Sequence, residues 1–128
     1  MNWRLISYVV AATLLSVAPA WALRVDPAFG NTIRSTYPDG RQGVLWLAAD
    51  GSYAAQGRRG QATSGTWRLN RERLCLRQRR PFPASFTYCT PIPDNMGAAW
   101  SARAPTGEAI RVELVHGRVT GRTGQPSH

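Results

Sequence analysis

The sequence predicts an all-β fold: an antiparallel meander of about eight strands, forming a small barrel or a strongly curved sheet and pinned by one disulfide. Three observations predict it. Short runs that alternate apolar and polar residues recur at intervals of about ten residues. Turn residues such as Pro38-Asp39-Gly40, Asp50-Gly51 and Pro105-Thr106-Gly107 separate them, and no later stretch carries a convincing helical period. The chain's two cysteines, Cys75 and Cys89, fall in two such runs.

The first 22 residues have the form of an export signal. Arg4 supplies the positive end, residues 5–17 the apolar stretch, and Ala20-Trp21-Ala22 the cleavage site. The apolar run is shorter than the roughly 20 residues of a spanning helix and ends at Pro19, and no later segment is apolar enough to span. The expected localisation is therefore periplasmic or secreted, with no transmembrane segment. Residues 23–120 are enough for one β-domain, and the Gly- and Pro-containing residues 121–128 read as a disordered tail.

After an arm at residues 23–30, residues 31–37 alternate and run into the turn at Pro38. A four-residue turn pairs Tyr37 with Gln42, Ser35 with Val44 and Ile33 with Trp46. A tight turn at Asp50-Gly51 sets Ala48 opposite Tyr53 and Trp46 opposite Ala55. The inward face then holds Ile33, Val44, Trp46 and Tyr53. Leu45 and Leu47 fall outside it, with three readings open: under the arm, against a second protomer, or a register shifted by one. Residues 56–64 read as an exposed, basic, Gly-rich loop.

The second half gives a consistent register. The short connection at Arg71-Glu72 pairs Leu69 with Leu74 and Trp67 with Leu76. Pairing Cys75 with Cys89 sets Leu76 opposite Tyr88 and Gln78 opposite Phe86, and it places the half-cystines on the outer face with Arg68, Arg73 and Arg77. Two cysteines in an exported chain point to a disulfide. Pro91 and Pro93 make residues 90–97 a loop. A last hairpin around Pro105-Thr106-Gly107 pairs Trp100 with Val112 and Ala102 with Ile110, and residues 118–120 are placed as a short final strand.

The succession Asp50-Gly51-Ser52-Tyr53, Gly65-Thr66-Trp67, Leu74-Cys75-Leu76 and Tyr88-Cys89 resembles a group of small exported bacterial β-domains of unassigned function. Over most of the chain this resemblance implies a fold rather than an activity. The same region is similar, more weakly, to lipocalin and avidin barrels, and there is a weaker likeness to small periplasmic protease inhibitors that insert an N-terminal arm into a protease cleft.

For function, the sequence supplies charge and aromatics but no catalytic pattern. His116 and His128 are not positioned by any motif, and Asp39, Asp50 and Glu108 sit at turns, where acids ordinarily serve the turn itself. There is no zinc spacing, phosphate-cradling loop or nucleophile elbow, so no catalytic residue, metal or cofactor is assigned. All 16 cationic side chains counted as Lys or Arg are arginine, giving a net charge of +9.

Arg58, Arg59, Arg77, Arg79 and Arg80 are the candidate contacts for an anionic envelope component or an acidic protein, since arginine forks fit phosphate and carboxylate; a solvated outer face is their ordinary role. Compartment disfavours nucleic acid despite the charge. Trp46, Tyr53, Trp67, Tyr88 and Trp100 are the candidate apolar pocket, with a filled core as the ordinary alternative. Three functions follow: a non-enzymatic binding or envelope-accessory domain with a basic face, a protease inhibitor using the N-terminal arm, and a carrier of a small apolar ligand. Oligomeric state is left open.

Overall fold

The turns set the architecture. At residues 37–41, 48–52, 57–61 and 104–108 the first residue's N–H donates to the last residue's carbonyl at 2.9 Å, and a glycine at the fourth position donates back to the first residue's carbonyl. Those glycines, Gly40, Gly51, Gly60 and Gly107, have φ of 82°, 91°, 85° and 94°. This is the three-residue hairpin loop, a tight turn followed by a left-handed residue, and that last position strongly favours glycine.

The computed structural model describes residues 25–121. A short 3-10 turn, Asp26–Ala28, precedes eight strands: β1 (Thr32–Thr36), β2 (Gln42–Leu47), β3 (Ser52–Gln56), β4 (Ala62–Asn70), β5 (Arg73–Arg80), β6 (Tyr88–Pro91), β7 (Trp100–Arg103) and β8 (Ala109–Val115). All pairs are antiparallel, in the order β6-β5-β4-β3-β2-β1-β8-β7. β6 and β7 come side by side, so the sheet is a nearly closed barrel. The all-β meander of eight strands is thus present, together with its disulfide.

The first two of these loops, at residues 37–41 and 48–52, each move the register by one relative to the sequence-based pairing. Ile33 faces Leu45 rather than Trp46, while Leu47 faces Tyr53 and Leu45 faces Ala55. Side chains alternate with period two, so that single step exchanges the faces of β2. Leu45 and Leu47 turn toward the core, and Val44 and Trp46 fall in the outer row. Of the three readings left open for the two leucines, the shifted register is the one observed.

Trp46 is held on the outer face by a hub at Thr32, which is completely buried. Its hydroxyl accepts the indole N–H of Trp46 at 3.0 Å and the N–H of Val119 at 2.9 Å, and it donates to the Gly117 carbonyl at 2.7 Å. Arg118 lies over the Trp46 ring, 4.2 Å from its centroid. Residues 118–120 therefore do not form the expected strand; their segment is anchored to the outside of the barrel. The signal expected at residues 1–22 and the tail expected at 121–128 lie outside the described residues, apart from Gly121, whose backbone packs against the Gln42 carbonyl.

The pairings expected in the second half are present: Trp67 with Leu76, Leu69 with Leu74, Cys75 with Cys89, Leu76 with Tyr88, Trp100 with Val112 and Ala102 with Ile110. Two boundaries differ. β4 begins at Ala62, so only residues 57–61 of the expected loop are loop. β6 begins at Tyr88, so Phe86 belongs to the β5–β6 loop instead of facing Gln78. Gln78 is instead occupied by that loop: its carbonyl accepts the Ala84 N–H and its side chain donates to the Phe82 carbonyl, each at 3.1 Å.

Within β5 a bulge leaves Arg79 unpaired between Gln78, opposite Gly65, and Arg80, opposite Ser64. Bulges bend a strand and increase its twist, which helps a sheet curl toward closure. One end of the barrel is plugged. Val25 and Ala28 from the 3-10 turn and Ile92 and Met96 from the β6–β7 connection join the buried cluster around Leu47 and Leu74. Phe29 packs 5.8 Å from Trp67, whose indole N–H donates to the Ala48 carbonyl at 2.7 Å.

Candidate functional site

Above the plug the barrel is hollow. A cavity of about 560 Å³ runs from Leu74, Thr90 and Ile92 at its floor to a mouth formed by residues 57–61, Ala84, Phe86, Pro105 and Thr106. That volume lies within the range of small-molecule sites. The space exists because much of the inward row is small. Ser35, Gly43, Ala55, Thr63 and Ala102 all line the cavity and leave room that larger residues would fill. Its walls are otherwise mainly apolar, with Ile33, Leu45, Leu76, Ile110 and Val112 prominent.

Tyr53, Tyr88 and Trp100 of the expected aromatic set do line the cavity. Trp67 instead packs against Phe29 at the plugged end, and Trp46 is outside for the register reason given above. Burial pushes the Tyr53 and Tyr37 phenols above the ordinary value of 10.0, with the Arg58 charge partly offsetting the shift at Tyr37. Both remain protonated at neutral pH and can offer a hydroxyl donor. Thr90 adds a polar atom deep in the cavity: its hydroxyl oxygen is buried and makes no hydrogen bond among the described residues. Buried polar atoms ordinarily have a partner, and this one is an exception.

The mouth is braced by Arg58. Its guanidinium reaches Glu108 at 2.9 Å and Asp39 at 3.8 Å, and it lies 4.5 Å from the centroid of the Tyr37 ring. One side chain thus ties together the β1–β2, β3–β4 and β7–β8 loops. Glu108 is held below the usual carboxylate value by the Thr106 hydroxyl, by its own backbone N–H and by Arg58. Arg59, beside it, also lines the mouth.

The five arginines expected to share one basic face are divided. Arg58 and Arg59 stand at the mouth, and Arg58 is engaged in the brace. Arg77 and Arg79 line a second, outer cleft of about 220 Å³ with Arg68, Thr66, Thr87 and Cys75. Arg80 is exposed at the end of β5, where the β5–β6 loop begins. The Cys75–Cys89 disulfide lies under this cleft and ties β5 to β6.

Ser35, Leu45, Ala55, Thr90 and Ala102 were not singled out by sequence reasoning. The inward alternation of small residues would have signalled the hollow, but only with the correct β1–β2 and β2–β3 registers. Among the described residues, no group of three His, Cys, Asp or Glu side chains is placed to hold a metal ion, and no helix is long and apolar enough to cross a membrane. No family model, curated protein or solved structure matches the chain.

Proposed function

We propose that this protein is a non-enzymatic binding module that takes up a small molecule with an apolar body in the barrel cavity. The observation that carries this reading is the apolar hollow of about 560 Å³, open at one end and plugged at the other. Arg59, Gln61 and Thr106 at the mouth favour a guest with a hydrogen-bonding or anionic head. The disulfide is compatible with an exported protein, and the proposed site of action is the periplasm or exterior.

Titration with the fluorescent probe anilinonaphthalene sulfonate tests the reading. Ala55→Phe and Ala102→Phe each point a ring into the cavity and should lower probe affinity by about tenfold, because a filled site loses its apolar contact area. Unchanged affinity in both variants, with the fold intact by circular dichroism, would place the probe elsewhere and sink the proposal.

A second reading, recognition of an anionic envelope component or an acidic protein, is favoured by the outer cleft between Arg68, Arg77 and Arg79. Salt-sensitive retention on an anionic surface that disappears in Arg77→Gln/Arg79→Gln would support it; retention indifferent to both salt and that change would remove it. The inhibitor reading draws no support from the arm, because Val25 and Ala28 are buried in the plug and freeing them would unpack that end of the barrel.

A further inference from the structure

We propose that the β5–β6 loop seats the cavity mouth on an anionic lipid bilayer. Phe82 and Phe86 are the two large apolar side chains exposed among the described residues, at 65% and 60%, and both lie on this loop. A lone exposed phenylalanine is ordinary; a pair at one loop tip is a contact surface. Pro81 and Pro83 flank Phe82 and restrict the backbone of the tip.

The charge around the tip selects the partner. Arg77, Arg79 and Arg80 lead into the loop, Arg59 stands on the neighbouring rim of the mouth, and no acidic residue occurs between Glu72 and Asp94. The two rim carboxylates, Asp39 and Glu108, are already engaged by Arg58. Aromatic rings that enter the headgroup layer beside arginines that meet lipid phosphates are the composition of a peripheral membrane contact. Phe86 belongs to both surfaces, since it is exposed and also lines the cavity. A molecule leaving the lipid layer at the loop would therefore meet the mouth directly. Docking stands on the loop alone, whereas the transfer of a guest rests on the cavity reading above.

Co-sedimentation of the full chain with phosphatidylcholine vesicles, with and without one quarter phosphatidylglycerol, tests the docking. Binding is expected only to the phosphatidylglycerol vesicles and should weaken at high salt. Phe82→Ser/Phe86→Ser and Arg79→Gln/Arg80→Gln should each reduce it by about tenfold or more, since the first removes the rings that enter the headgroup layer and the second removes charges that meet the anionic surface. Arg71→Gln/Arg73→Gln, with the same charge change on exposed positions at the β4–β5 turn, the end of β5 opposite the loop, should stay within about twofold. Residues 1–24 are common to every variant, so these differences report the loop.

Phe82→Ser alone separates the two proposals: vesicle binding should fall while anilinonaphthalene sulfonate affinity is unchanged, because Phe82 does not line the cavity. Vesicle binding that survives the phenylalanine changes, or that falls equally in the control pair, would overturn the docking proposal. So would retention on immobilised polyglutamate with no vesicle binding, which would assign the arginines to an acidic protein.

Discussion

The Tyr88 hydroxyl donates a hydrogen bond to the Arg103 carbonyl across the junction of β6 and β7, the two strands that end the ladder order. A side chain thus joins edges that the backbone leaves unladdered, and it does so from a cavity-lining residue. Tyr88→Phe keeps the ring and removes the bond. Loss of about 1 kcal/mol of stability is expected in urea unfolding, the usual net contribution of one hydrogen bond. An unchanged midpoint would show that packing alone holds the junction.

The disulfide spans a sequence separation of 14, and closing a loop of that size contributes about 3 kcal/mol in the chain-entropy account. Cys75→Ser/Cys89→Ser should therefore lower the unfolding free energy by about that amount. The same loss should follow reduction of the unaltered protein, which distinguishes the bond from the packing of the new serines.

Gly65 sits at the β5 bulge, where an added Cβ would collide with the Arg77 carbonyl oxygen. The obstacle is backbone, which cannot swing aside as a side chain does. Gly65→Ala should destabilise by about 1 to 3 kcal/mol, the range for overpacking. Gly60→Ala offers a contrast, because its cost comes from a left-handed φ of 85°; asparagine, which tolerates that conformation, should recover part of the loss there and none at residue 65.

Acidification should weaken the brace at the mouth. Glu108 titrates below its ordinary 4.5 because the Thr106 hydroxyl, its own backbone N–H and Arg58 favour the carboxylate. A depressed folded value stabilises the fold above the unfolded carboxylate's pKa, and that contribution fades as pH falls through the lower folded value. Denaturation midpoints measured from pH 6 to pH 2 should show a smaller acid-side decline in Glu108→Gln than in the parent, confined to pH below about 4.5. Asp50 is lowered too, by the Ser52 hydroxyl and N–H, so Asp50→Asn should trim the same window without altering the mouth.

The fold was legible from alternation and turn residues, and in the second half the register was as well. Leu69, Leu74, Trp67 and Leu76 agree on one face only if Arg71-Glu72 is a two-residue connection, which leaves no slack. In the first half, Pro38-Asp39-Gly40 and Asp50-Gly51 fit more than one hairpin geometry, and the two geometries differ by one residue of pairing. Composition marks such a turn but does not fix its loop length.

The site suffered doubly from this. The wrong register drew Trp46 inward beside Ala55 and kept Gly43 and Thr63 off the inward row, so the small residues did not add up to an absence of bulk. Large aromatics attract attention as pocket markers, yet here small side chains make the pocket. Division of the arginines between rim and outer cleft depends on where β5 bulges and β6 begins, and neither boundary carries a local sequence signal.

Among the described residues, the plug of Val25, Ala28, Ile92 and Met96 closes one end of the cavity and leaves the mouth as its doorway. An incoming guest cannot push an outgoing one through from behind, so arrival and departure use the same opening and must take turns. Exchange should then run at a rate set by departure alone, independent of how much competitor is waiting outside.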